Sequence, residues 1–145
     1  MTMQPAGLDL GALSVGDVVA EKEYHLTRDT LVRYAGASGD FNPIHYRDDV
    51  AAGVGLPGVL AHGMLTMGLA VQPVVEAVGD PGRVTDYQVR FTRPVVVDPE
   101  SGVDVSVTAK VGALLVEESS ARIDLVVTVA GTTVLGKSQV RVHLA

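Results

Sequence analysis

Hydrophobic and polar positions change their period partway along the chain. Beyond Gly82 they alternate with period two, through Tyr87, Val89 and Phe91, then Val103, Val105, Val107, Ala109 and Val111, then Ile123, Leu125, Val127 and Val129, then Val134, Val140, Val142 and Leu144. Alternation of this kind belongs to strands with one buried face. Turn-forming residues at Asp98 to Gly102, Glu117 to Ser120 and Gly131-Thr132 separate the runs, which predicts an antiparallel meander. A further strand is predicted over Val18 to Leu26, introduced by Gly16-Asp17.

The stretch between these strands reads as helix. Thr27 is placed to N-cap a helix over Arg28 to Ala37, with Leu31, Val32, Tyr34 and Ala35 near one face and Gly39 as its stop. Asn42-Pro43 signals a turn or a helix start, and Asp48-Asp49 supplies first-turn acids to a short helix ending near Gly53. From His62 to Val78 runs a helix whose only ionisable side chain after His62 is Glu76, with Gly79-Asp80-Pro81-Gly82 ending it. A helix apolar on all sides has to be surrounded by protein. The economical architecture is therefore α+β, a curved antiparallel sheet wrapped around that helix, with residues 1–145 forming one domain.

Composition narrows the chemistry. Hydrophobic residues make up 47% of the chain against 19% charged, which favours a compact fold over disorder. Cysteine is absent, so a disulfide scaffold, a zinc-thiolate site and a thiol nucleophile are excluded together. A net charge of −6 with scattered basic residues argues against nucleic acid as a partner. The apolar run from Met64 to Val78 is shorter than the roughly 20 residues a membrane span needs, so no membrane partner is expected. The opening Met1 to Pro5 has neither basic nor apolar signal character, which makes the cytoplasm the expected compartment.

Several motifs bear on the chemistry. Gly53 to Gly58 has the spacing of a dinucleotide fingerprint, but no strand precedes it and Pro57 interrupts it. Ser14 lacks the strand and helix that a nucleophile elbow requires. The histidines His25, His45, His62 and His143 are not paired at the short spacing of a zinc motif, so no metal is expected. The segment Tyr34 to His45 stands apart, because Asp40 and His45 lie five residues apart on a loop stiffened by Pro43. A carboxylate and an imidazole facing one cavity suit general acid-base work. The same spacing is also served by Asp40 and Asn42 turning the backbone and His45 being a satisfied side chain.

This segment resembles the hydratase motif of the MaoC-like family, the R-specific enoyl-thioester hydratases and 3-hydroxyacyl-thioester dehydratases. Tyr34, Gly39, Asp40, Asn42, Pro43, Ile44, His45 and Ala51 fill the motif, Ala61-His62-Gly63-Met64 resembles the start of the family's central helix, and Arg90 to Val95 resembles its strand-edge segment. The likeness spans nearly the whole chain and is nearest to the catalytic B-type subunit of two-subunit 3-hydroxyacyl carrier-protein dehydratases. It implies a hot dog fold and reversible hydration of trans-2-enoyl thioesters of CoA or acyl carrier protein. It also implies no cofactor, and pairing with a second hot dog subunit as homodimer or heterodimer.

By the same resemblance, Asp40 and His45 form the acid-base pair, His45 taking the α-proton and Asp40 serving the hydroxyl in dehydration. Asn42 orients the water, and the backbone N–H of Gly63 stabilises the enolate at a helix start. Leu56, Val59, His62, Met64 and Met67 are candidate substrate-binding residues, core packing being the plainer role for each. Two rival functions share the fold: an acyl thioesterase, which carries a carboxylate near the start of the central helix where this chain has none, and a noncatalytic subunit, against which Asp40 and His45 argue.

Overall fold

The computed structural model describes residues 7–144; the opening run Met1 to Pro5 lies outside them. The first strand, β1 (Val18–Leu26), leads into α1 (Arg28–Ser38). Thr27 and Thr30 form a reciprocal capping box at its start, and Gly39 closes it in the left-handed conformation at φ 77°. Leu31 and Ala35 are buried, as their spacing of four requires, whereas Val32 turns to solvent, contrary to its expected place on the inner face.

A single 3₁₀ turn, Pro43–His45, is followed by α2 (Asp48–Gly53) and the long α3 (Gly63–Val78), which Gly79 ends at φ 81°. Strands β2 (Val84–Phe91), β3 (Val103–Leu115), β4 (Ser120–Val129) and β5 (Thr132–His143) complete the fold. Both Ala130 and Gly131 have positive φ, the twist that joins β4 to β5 as a two-residue hairpin.

The sheet order is β1-β3-β4-β5-β2, antiparallel throughout. This corrects the expected meander, which holds only for β3 to β5. β2 crosses to the far edge and pairs with β5 instead of β3. Period-two patterning reports which face of a strand is buried and carries no information on its neighbour.

The concave face presents Val105, Val107, Ala109 and Val111 of β3, Ile123, Leu125 and Val127 of β4, and Val140 and Val142 of β5, all buried. Against it lie Ala70, Val74 and Val78 of α3, which packs on all five strands. Each such side chain contributes on the order of 1.5–3 kcal/mol on burial. The hydroxyl of Tyr87 on β2 donates to the carbonyl of Met67 at 2.7 Å and ties α3 to the sheet edge; burial pushes this phenol up to about 12.

The expectation that α3 is enclosed needs correction. Its inner side is buried, but Met64, Gly68, Gln72 and Glu76 lie along an exposed stripe, so one chain covers only part of the helix. Among the described residues no helix is long and apolar enough to cross a membrane.

Candidate active site

One arginine ties the end of the α1–α2 loop, at the start of α2, back to the first turn of α1. Arg28, in the first turn of α1, donates from Nε to the Val97 carbonyl (2.7 Å) and through both terminal nitrogens to Asp48 at the start of α2 (3.1 and 2.9 Å). The guanidinium holds the Asp48 carboxyl below its ordinary range. Ahead of that tie the loop turns on its own side chains. The Asp40 N–H donates to Ser38 Oγ, the Asn42 N–H to Asp40 Oδ1 and the Ile44 N–H to Asn42 Oδ1.

His45 follows directly. Its ring is nearly buried, and its Nδ1 lies 2.7 Å from the Leu60 carbonyl. A carbonyl only accepts, so Nδ1 carries the proton and Nε2 of the neutral ring is a bare acceptor. That Nε2 lies 3.9 Å from Asp40 Oδ2, and the aspartate side chain is half exposed. Leu60 is itself fixed, its N–H donating to the Ile44 carbonyl, while the Ala61 N–H donates to Val95.

His45 lines a cavity of about 330 Å³ together with Leu60, Thr66, Phe91, Arg93 and Leu135, and Gly63 at the start of α3 is part of its wall. As the first residue of α3, Gly63 has no intrahelical partner for its N–H. A Cβ built there would meet the Phe91 ring at 2.9 Å. A larger open hollow of about 940 Å³, at the other end of α3, holds Asp9, Glu76, Asp80 and Arg83 and none of these groups.

The structure therefore brings Asp40, Asn42 and His45 onto one loop and sets His45 with Gly63 around one cavity. It places the expected acyl-contact residues elsewhere. Val59 is fully buried in the core, Met64 faces solvent at 60% exposure, and Leu56 and Met67 are half-buried outside the cavity wall. His62 is fully buried behind His45 and does not line the cavity. The walls come instead from the segment after β2, whose nearness to α3 depends on the strand crossover. No local signal in the sequence marks Arg28 or Leu60, since their partners lie 20, 69 and 15 residues away.

Asp40, His45 and His62 place ligand-type atoms within 4.8 Å of one another. The two imidazoles, however, are stacked with centroids 3.9 Å apart and planes at 22°. Their in-plane lone pairs run side by side instead of converging, which does not fit the tetrahedral demand of a metal such as zinc.

Residues 13–130 match the family described as MaoC like domain. Among solved structures, the chain is similar to a MaoC-like dehydratase (34% identity, TM-score 0.92, covering 98% of this chain and 44% of that one). It is also similar to an R-hydratase from Pseudomonas aeruginosa (28% identity, TM-score 0.80, covering 95% and 86%). A curated relative, 3-hydroxyacyl-thioester dehydratase X of Mycobacterium tuberculosis, is 36% identical over 81 residues, which is 56% of this chain and 28% of the relative's length.

Proposed function

The chain belongs to the MaoC-like domain family and has its hot dog fold, and from that premise we propose that it is an R-specific hydro-lyase acting on acyl thioesters. It adds water to trans-2-enoyl thioesters and removes it from (R)-3-hydroxyacyl thioesters. The observation that carries the reading is the bare Nε2 of His45, in a cavity wall that Gly63 shares, facing the Asp40 carboxyl across 3.9 Å.

In dehydration, His45 Nε2 takes the proton from Cα, the electron pair moves to the thioester carbonyl, and the C3–O bond then breaks. Asp40, protonated, gives its proton to the leaving oxygen, and water departs. The pair is reset by moving one proton from His45 to Asp40, a distance one water spans. Hydration runs the same steps in reverse. Asn42 has its side-chain oxygen engaged by the Ile44 N–H, so its NH₂ is the part that orients the water. The Gly63 N–H stabilises the charge on the thioester oxygen with the help of the α3 dipole. The carrier, CoA or acyl carrier protein, is part of the substrate.

A thioesterase would want a carboxylate at the start of the central helix. Here the carboxylate of α3 is Glu76, near the far end and paired with Lys22 at 2.7 Å. The exposed stripe of α3 favours pairing with a second hot dog protomer, of the same or a different chain.

The test is to incubate the purified chain with crotonyl-CoA and longer trans-2-enoyl thioesters of CoA and of acyl carrier protein. The expected product is the (R)-3-hydroxyacyl thioester with the thioester intact. Release of free thiol without hydration would replace this reading with the thioesterase.

A further inference from the structure

His62 touches both members of the acid-base pair and is not part of the cavity wall. Its ring stacks on His45 at 3.9 Å, its Nε2 lies 3.2 Å from the backbone carbonyl of Asp40, and Tyr34 meets it edge-on at 4.7 Å. Because the Asp40 carbonyl only accepts, Nε2 carries the proton and Nδ1 is bare. That Nδ1 is buried and has no hydrogen-bond partner, an unsatisfied acceptor of the kind that native structures rarely keep. Through its own carbonyl, which accepts from the Leu65 and Thr66 N–H groups, His62 also begins the helix that presents Gly63.

A purely structural role accounts poorly for these contacts. An apolar ring would fill the site and stack on His45 with no orphaned nitrogen. What an apolar ring lacks is the donor to Asp40, whose carboxyl is half exposed and whose neighbours hold it only through local turns. We propose that His62 is a positioning residue, whose Nε2–H anchors the Asp40 peptide so that the carboxyl stays opposite His45 Nε2. This inference rests on the hydro-lyase reading above.

The experiment compares two substitutions in the intact chain, using crotonyl-CoA hydration. His62→Gln keeps an N–H donor at the reach of Nε2 and loses the ring; His62→Phe keeps a ring and loses the donor. If Phe does not fit the buried site, as judged by circular dichroism, His62→Leu removes the same donor at smaller volume. The donor-less variant is expected to lose kcat by roughly 10-fold or more, the scale of a small misplacement of a reacting group, with KM nearly unchanged and the fold retained. His62→Gln is expected to recover most of that loss. A folded donor-less variant with near-normal kcat, or Gln and donor-less variants equally impaired, overturns the proposal. Lack of hydration by the unsubstituted chain would instead fail the hydro-lyase reading itself, so the two failures are told apart.

Discussion

His45 Nε2 and Asp40 Oδ2 face one another across 3.9 Å, too far for a hydrogen bond and close enough for one oxygen atom to touch both. The rest of the His45 ring is already engaged, Nδ1 by the Leu60 carbonyl and one face by His62. Only Nε2 is left for chemistry. A proton acceptor with its tautomer fixed from behind and a carboxyl opposite it form a unit that neither residue provides alone.

From this it follows that Asp40→Asn and His45→Ala each lower kcat for enoyl-CoA hydration by roughly 10²–10⁴, the range for losing one proton-transfer group. The Asp40 side chain is half exposed and His45 sits at the cavity wall, so both variants are expected to keep the circular dichroism spectrum of the parent. Near-normal turnover in either one would remove that residue from the mechanism.

Burial, aided by the nearby His45, holds His62 below the ordinary imidazole value of 6.5. The Asp40 carbonyl acts the other way, and Tyr34 covers the ring edge-on. Between the lowered value and 6.5 the unfolded chain binds more protons than the folded one. Stability is therefore fully present above about pH 6.5 and falls as pH drops through that window. Asp48, Asp49 and Asp98, held below the ordinary carboxylate value of 3.8, act at lower pH. The melting temperature should fall on acidification from pH 7 to 5, and less so in His62→Gln; identical slopes in the two proteins would refute this assignment.

The local half of this site was legible in the sequence because its causes are local. Thr27, Gly39 and Gly79 cap their helices through neighbours within a few residues, and Asp40, Asn42 and His45 share one short loop. What escaped is long-range. No pattern in β2 announces that it leaves β3 for β5, and that crossover brings Phe91 over Gly63 and Arg93 to the cavity wall. The hydropathy of α3 likewise predicted enclosure, although a single chain leaves the stripe through Met64 and Gly68 uncovered.

That uncovered stripe motivates a prediction about assembly. An exposed helix stripe that begins with Met64 and Gly68, beside exposed sheet edges, is a surface that a second protomer would cover. Sedimentation at micromolar concentration should show at least a dimer. A fully active monomer would count against the pairing.

Tyr87 offers a check on the sheet-to-helix clamp that is independent of catalysis. Tyr87→Phe leaves the packing and deletes the 2.7 Å bond to the Met67 carbonyl. The loss should be about 1 kcal/mol, since that carbonyl sits inside a helix and keeps its main-chain donor. For a chain of this size the melting temperature should drop by about 3 °C. A drop in turnover larger than the drop in folded fraction would show that Tyr87 does more than clamp.

Gly63 allows the oxyanion role to be separated from packing. Any side chain there meets the Phe91 ring, whose nearest atom lies 2.9 Å from a Cβ, so two explanations of an inactive variant compete. Gly63→Val should lower kcat/KM by roughly 10² or more, the scale of losing one oxyanion donor. If displacement of Phe91 were the cause, shortening that residue would relieve it. Phe91 is 55% exposed, so Phe91→Ala should be tolerated by the fold. The double variant Gly63→Val with Phe91→Ala should therefore remain as impaired as Gly63→Val alone, because the valine side chain still keeps the thioester oxygen from the Gly63 N–H. Recovery in the double variant would assign Gly63 to packing and leave the enolate without this donor.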